Sequence, residues 1–362
     1  MKRKRILAMI LAVASCLSLA VSASAASTTT RKATDFRDYD RTAWYAEAVS
    51  AAVDNGLLYG KSSTVIDPNG AMTRAEMAAI INRSFGCYKT ADISQYKDVS
   101  KDKWYYKDVA LAVQMGTYNG RSASSMAPDA PISRQEAMTV VARALELDYD
   151  AYAKTDLTAF SDRGKISDWA LPYVRAMVGA DYIHGRGKVL APQDDITRAE
   201  FAQIFANIIG SYITVKGTYD KDIKGSVLVR TDDVILKDMT VDGDLIIGCG
   251  AADGKIVLDN VTIKGRLLTW GGGTKAVYCN NGTSTPEVIA ARVDDAVKII
   301  FDRDSTLAVI DSIKARITER AKQNKETEII FYDVSGLREA QKQLNAIVAD
   351  NQIALTAPAH LY

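Results

Sequence analysis

Histidine is nearly missing from this chain of 362 residues, with His184 and His360 as the only two. That excludes acid–base chemistry built on imidazole and a His-rich metal centre, so no metal site is expected. Cysteine is scarce as well. Cys16, Cys87, Cys249 and Cys279 are the whole set, and only three lie beyond residue 25. An odd, sparse set excludes a disulfide framework and reads as small buried hydrophobes. Cys249, between Gly248 and Gly250, is the one placed in a turn and worth testing for reactivity. An excess of one charge is also lacking. Lys+Arg is 45 and Asp+Glu 44, and without Lys2, Arg3, Lys4 and Arg5 the balance is 41 − 44 = −3. No basic face for nucleic acid is expected from such a balance. No apolar run reaches the roughly 18 residues of a membrane span. Neither a glycine-rich phosphate loop nor a nucleophile beside a base is present, so no cofactor is expected.

The first 25 residues read as an export signal. Lys2–Arg5 form a basic start, Ile6–Leu19 an apolar stretch, and Ala23-Ser24-Ala25 a small-residue cleavage site. The mature chain is therefore expected outside the cytoplasmic membrane. An alternative start exists at Val13-Ala14-Ser15-Cys16, which loosely resembles a lipoprotein box with Cys16 lipidated.

Residues 35 to 213 contain one unit written three times. Phe36-Arg37-Asp38, Tyr96-Lys97-Asp98 and Phe160-Ser161-Asp162 open the copies, and Trp44, Trp104 and Trp169 follow. Next come Gly60, Gly120 and Gly185, then Asp67-Pro68, Ala127-Pro128 and Ala191-Pro192. Thr73-Arg74-Ala75-Glu76, Ser133-Arg134-Gln135-Glu136 and Thr197-Arg198-Ala199-Glu200 close the pattern. From opening aromatic to arginine is 38 residues in every copy. Apolar residues at helical spacing on both sides of the glycine–proline loop predict a helix, a loop and a helix per unit. A single unit cannot bury its apolar stripes, so the three are expected to share a core.

The Thr/Ser and Glu of the last motif form a capping box and need no further explanation. Arg74, Arg134 and Arg198 do. Each sits at the first helical position, where the helix dipole disfavours a cation. One reading is an anion held by free helix amides and a bidentate guanidinium. The other is an ion pair with Asp38, Asp98 or Asp162. Phe36, Tyr96 and Phe160 read as core. Trp44, Trp104 and Trp169 fit either a core or a stacking face for a sugar. Gly60, Gly120 and Gly185 fit either turns or close ligand approach.

The three units resemble S-layer homology modules. The resemblance implies an α-helical pseudo-threefold trimer whose inter-module grooves bind the pyruvylated secondary polysaccharide of a bacterial cell wall. It implies that Arg74, Arg134 and Arg198 take the ketal carboxylate, with Asp38, Asp98, Asp162, Trp44, Trp104, Trp169, Gly60, Gly120 and Gly185 around them. Replacing the three arginines is then expected to abolish wall binding and to leave the helices intact. Two departures could weaken a groove: Gln135 in the second copy, and Ala180 at the place of Gly56 and Gly116.

Beyond residue 213 short apolar runs are punctuated by Gly, Asp and Asn, a strand signature. Asp222–Val229, Thr240–Ile247 and Thr262–Thr269 align, with Gly225, Gly243 and Gly265 spaced 18 and 22 apart. Val234–Ile247 matches Ile256–Thr269 at an offset of 22, which puts Cys279 in line with Leu236 and Leu258. A parallel β-helix (β-solenoid) follows. Ser312–Asn324 reads as a polar helix, Glu328–Tyr332 as a strand and Gly336–Ala349 as an amphipathic helix, a small α/β tail capping the solenoid. The organisation expected is thus multidomain: leader 1–25, modules 35–88, 96–148 and 160–213, β-solenoid 214–310, cap 311–362. An exported, non-catalytic wall-anchored protein of the S-layer or envelope type fits best, with self-assembly left open. The rivals are an adhesin and a polysaccharide-degrading enzyme using Asp242 with Asp244 or Asp302 with Asp304, since adjacent aspartates such as Asp232-Asp233 and Asp294-Asp295 point to opposite faces of a strand. A calcium site at Asp302 and Asp304 is a further option.

Overall fold

The computed structural model describes residues 31–85, 89–251, 253–272, 276–332 and 354–356. The leader, Cys87 and the helix expected at 336–349 lie outside them. Each repeat gives two helices: α1 (Ala46–Asp54) and α2 (Arg74–Phe85), α3 (Tyr106–Met115) and α4 (Arg134–Ala144), α5 (Leu171–Gly179) and α6 (Arg198–Ile208). The second helix of each pair starts at its capping box. The hydroxyls of Thr73, Ser133 and Thr197 accept the third helical amide, and the glutamates accept the cap amide, at 2.9–3.4 Å. Gly56 and Gly116 turn the chain after α1 and α3 at φ +66° and +74°. The third copy uses Asp181 (φ +62°) there, so Asp181 rather than Ala180 is the counterpart of those glycines. An aspartate tolerates this region better than most residues.

The copies close into a ring. Met72 donates to Ile196, Ile196 to Ile132 and Ile132 to Met72 through backbone bonds of 2.9–3.0 Å. Apolar residues from all six helices, among them Val49, Met77, Val109, Met138, Val174 and Phe201, join one core.

The chain beyond α6 forms two parallel sheets. One holds β1 (Ile209–Ile213), β3 (Ser226–Val229), β5 (Leu245–Ile247), β7 (Arg266–Thr269), β9 (Glu287–Ala290) and β11 (Lys314–Ile317). The other holds β2 (Gly217–Tyr219), β4 (Val234–Val241), β6 (Ile256–Ile263), β8 (Val277–Asn280), β10 (Lys298–Phe301), β12 (Glu328–Tyr332) and β13 (Ala354–Thr356). Up to β12, odd strands thus pair with odd and even with even, and β13 joins the even strands beside β12. The 22-residue offset is the register itself: Val234 pairs with Ile256, Leu236 with Leu258 and Ile247 with Thr269. Cys279 pairs with Leu258 and is fully buried in the core between the sheets.

Burial separates β4 and β6 from the strands that meet the helices. β4 and β6 alternate buried and exposed positions, because one face meets solvent. β3, β5 and β9 are almost wholly buried. Their outer residues Leu228, Ile246 and Ile289, with Leu268 of β7, belong to the helical core. Polar ties seal the junction. Trp270 Nε1 donates to the Ala144 carbonyl at 2.8 Å, and Arg266, paired with Asp244 at 2.6 Å, donates to the Leu145 carbonyl at 3.0 Å. Both satisfy carbonyls at the end of α4 that would otherwise lack partners.

One expectation for the last part fails. Residues 312–324 are no helix but β11 and a short 3-10 turn, Ala321–Gln323. Ile313, Ala315 and Ile317 are buried and alternate with Lys314 and Arg316, a period of two that outweighs the polar composition. A helix, α7 (Arg303–Val309), follows β10 and is capped by Asp302 accepting the Ser305 amide at 2.8 Å. Among the described residues no helix is long and apolar enough to cross a membrane.

Candidate functional site

The first arginine of each second helix points into the protein. Arg74, Arg134 and Arg198 are 4%, 5% and 2% exposed. Arg74 pairs with Glu136 at 2.7 Å, Arg134 with Glu200 at 3.1 Å and Arg198 with Glu76 at 3.4 Å. Each module thus hands its guanidinium to the capping glutamate of the next, and the third returns to the first. Nε of each donates to a loop carbonyl of that next module, Met126, Leu190 or Ile66, at 2.7–2.8 Å. The helix amides expected to be free are used in the same way. Arg74, Arg134 and Arg198 donate their backbone N–H to Ala130, Asp194 and Gly70, at 2.9–3.1 Å. An anion seated on bare helix amides is therefore excluded, and so is an ion pair to Asp38, Asp98 or Asp162. Hydrogen-bonded carbonyls and a facing carboxylate offset the dipole's objection to the cation.

Those three aspartates hold loops. Asp38 accepts the amides of Ile66 and Asp67, Asp98 those of Met126 and Ala127, and Asp162 those of Leu190 and Ala191, at 2.7–2.9 Å. The second residue of each pair sits at φ +51° to +55°, a strained conformation for Asp or Ala that the carboxylate holds in place. Partial burial pushes these carboxyls up, yet the amide bonds outweigh it and hold all three below the usual aspartate value.

The tryptophans face solvent, with Trp44, Trp104 and Trp169 64%, 60% and 52% exposed. Each stands in a groove built by all three modules. The first groove, of about 380 Å³, has Gly60, Lys61 and Arg83 from module one, Trp104 from module two and Arg198 from module three. In the second, of about 410 Å³, Gly120, Arg121 and Arg143 meet Trp169 and Arg74. In the third, of about 350 Å³, Gly185, Arg186 and Asn207 meet Trp44 and Arg134. The site glycines line the grooves, and each also packs on its own opening aromatic: a Cβ there would run into Phe36, Tyr96 or Phe160.

Sequence reasoning missed the basic residue after each loop glycine. Lys61 pairs with Glu76 at 2.6 Å, Arg121 with Glu136 at 3.1 Å and Arg186 with Glu200 at 2.6 Å. Unlike the helix arginines, these cations are a third or more open to solvent. The repeat Gly-Lys, Gly-Arg, Gly-Arg was their visible signal. Burial pushes the three glutamates up, but the two flanking cations and the cap amide hold them below the ordinary value.

Outside the helical ring the candidate carboxylates Asp242, Asp244, Asp294 and Asp302 are engaged. Asp244 is bound by Arg266, Asp242 by Lys264 at 2.7 Å, Asp294 by Arg292 at 3.1 Å, and Asp302 caps α7. Among the described residues no three His, Cys, Asp or Glu side chains are grouped to hold a metal. Cys249 lies half-buried against the Asn82 carbonyl, and burial pushes its thiol up to about 11, the opposite of an activated nucleophile.

Residues 35–78, 95–138 and 159–202 each match the S-layer homology domain. The chain thus carries three such domains in tandem. It is 32% identical to the Surface-layer 125 kDa protein of Lysinibacillus sphaericus over 213 residues, 58% of this chain and 17% of that protein. It is 28% identical to Exoglucanase XynX of Acetivibrio thermocellus over 182 residues, 49% of this chain and 16% of the relative. Amylopullulanase of Thermoanaerobacterium thermosulfurigenes is 28% identical over 181 residues, 48% of this chain and 10% of the relative. The chain spans less than a fifth of the length of each. S-layer homology domains imply anchoring to the cell wall, and with these relatives they mark a cell-surface, wall-associated protein.

Proposed function

We propose that the three grooves bind a pyruvylated secondary cell-wall polysaccharide, and that the protein is a non-catalytic component of the envelope held to the wall by this contact. The carrying observation is the exposed tryptophan, repeated three times, each facing a solvent-open cation across a glycine-lined floor. An indole left in water three times over costs hydrophobic energy that a stacked sugar ring would recover. The cations suit a carboxylate on that sugar. Arg74, Arg134 and Arg198 act from beneath: they orient the glutamates and add positive charge to the floor without leaving it. Asp38, Asp98 and Asp162 keep the groove loops in shape.

The two parallel sheets are read as the walls of a short β-solenoid, odd strands up to β11 in one wall and even strands with β13 in the other. It is displayed outward from the wall, and its paired carboxylates favour structure over hydrolysis. Exoglucanase XynX and Amylopullulanase share with this chain just under half its length, and the shared stretch is read as the anchor.

The test uses purified wall sacculi. The full chain is expected to pellet with them and to stay in solution once their pyruvyl groups are removed. The triple variant Trp44→Ala, Trp104→Ala, Trp169→Ala is expected to lose pelleting with its melting temperature nearly unchanged. Undiminished pelleting of that variant, or of the wild type with stripped sacculi, overturns the reading.

A further inference from the structure

The grooves share a plan and differ in charge. Nine residues after the helix arginine stand Arg83, Arg143 and Asn207. Two residues after the loop proline stand Gly70, Ala130 and Asp194. In the first two grooves the arginines line the wall, with Arg83 stacked on Tyr59 at 3.9 Å and Arg143 on Tyr173 at 4.9 Å. Beside the third groove, outside its lining, Asp194 binds Arg186 at 2.9 Å, and Arg186 also binds Glu200 at 2.6 Å. The ionic balance of the lining residues is 3 − 1 = +2 for Lys61, Arg83 and Arg198 against Glu76, and +2 again for Arg74, Arg121 and Arg143 against Glu136. For Arg134 and Arg186 against Glu200 it is 2 − 1 = +1, and Asp194 holds Arg186 from outside.

What replaces charge in the third groove is a pair of amides. Gln203, where the others have Ala79 and Thr139, donates to Asn207 Oδ1 at 2.9 Å, and Asn207 donates to the Tyr182 carbonyl at 3.1 Å. Both line the groove beside Trp44. Amides offer both donors and acceptors, the set that hydroxyl groups need, whereas guanidinium groups only donate. The volumes, about 350 Å³ against 380 and 410 Å³, do not discriminate.

We propose that the grooves take two chemical classes of sugar: the first and second an anionic one, the third an uncharged polyhydroxyl one. A carboxylate entering a groove of balance +2 exchanges water for cations, while one entering the third groove meets less positive charge and an Arg186 already held by two carboxylates, so it loses hydration with less return. The proposal rests on the glycan-binding reading above and adds a division of labour to it. Two anionic units and one neutral unit of a polymer would be gripped together, and avidity would depend on their spacing.

Each groove carries one exposed tryptophan, so each can be read separately, and Trp270 is a buried constant background. Three full-length variants keep a single exposed indole, Trp104, Trp169 or Trp44, with the other two replaced by phenylalanine. The probes are a pyruvylated fragment released from the wall and the same fragment after acid removal of the pyruvyl group. The pyruvylated fragment is expected to shift Trp104 and Trp169 emission at concentrations about tenfold lower than Trp44, the size of one charge-assisted bond. Stripping should weaken the first two responses about tenfold and leave the Trp44 response in place. Asp194→Ala with Asn207→Arg should bring the Trp44 response to the pyruvylated fragment level with the others. Equal responses of all three grooves to the charged fragment, all lost on stripping, overturn the division while sparing the glycan-binding reading. Failure of the double variant to raise the Trp44 response does the same. No response in any groove to either fragment sinks both.

Discussion

The seams between the modules of the helical ring and the rim of its grooves are built from the same repeat, yet they use their cations in opposite ways. At the seams Arg74, Arg134 and Arg198 are buried and each joins one module to the next. At the rim Lys61, Arg121 and Arg186 stay open to water on the far side of the same glutamates. A residue repeated three times is thus under constraint in both places. Repetition alone does not tell assembly from recognition; burial does.

The largest effect that would break this contrast is at the seams. Arg134→Ala leaves Glu200 without its buried partner and the Leu190 carbonyl without its donor, and is expected to cost about 3–5 kcal/mol of stability. Chemical denaturation checks it. A loss below about 1 kcal/mol, the surface-pair value, would erase the distinction between seam and rim. The earlier expectation, that removing the three arginines spares the helices, is reversed by this geometry.

Next in size is the loop clamp. Asp98→Ala strands the amides of Met126 and Ala127 and is expected to cost about 1–3 kcal/mol. It should weaken the second groove with it, since that loop joins the Arg74 guanidinium to module two. Asp98→Asn, which keeps one acceptor oxygen, should recover part of the stability. Equal losses in the two variants would point away from the amide bonds as the cause.

Acid should find both regions together. Asp38, Asp98, Asp162, Glu76, Glu136 and Glu200 are all held below their ordinary values. A depressed folded value means stabilisation that is complete above the unfolded pKa, about 3.9 for Asp and 4.3 for Glu, and lost as pH falls below it. Glu146, pushed up by burial despite Arg316, works the other way as a single group. The urea midpoint is therefore expected to hold between pH 7 and 5.5 and to drop by pH 3. A flat profile to pH 3 would mean the amide clamps and capping glutamates add little.

The smallest expected stability effect is at the rim. Trp104→Ala should change stability by no more than about 0.5 kcal/mol, because the indole lies largely in water, while the first groove loses its stacking face. A calorimetric melt beside a glycan titration separates the two. A drop of several degrees in Tm would return that tryptophan to the core.

Much of the local structure was legible. The capping boxes announced the starts of α2, α4 and α6, and the 22-residue offset foretold the pairing of β4 with β6 and of β5 with β7. Polar composition misled where a period of two set the strand, as in β11. Exposure of the tryptophans was not readable, because an indole followed by an apolar stripe fits a core as well as a ledge.

Sequence alone determined three like units, their helix boundaries and the strand register, since each follows from contacts within a few residues or a fixed period. Only the folded ring decided what the repeated side chains do. Arg74 meets Glu136, and Arg198 meets Glu76, across 62 and 122 residues of chain. Each groove draws on three modules at once, and no spacing within one module encodes a partner supplied by the next.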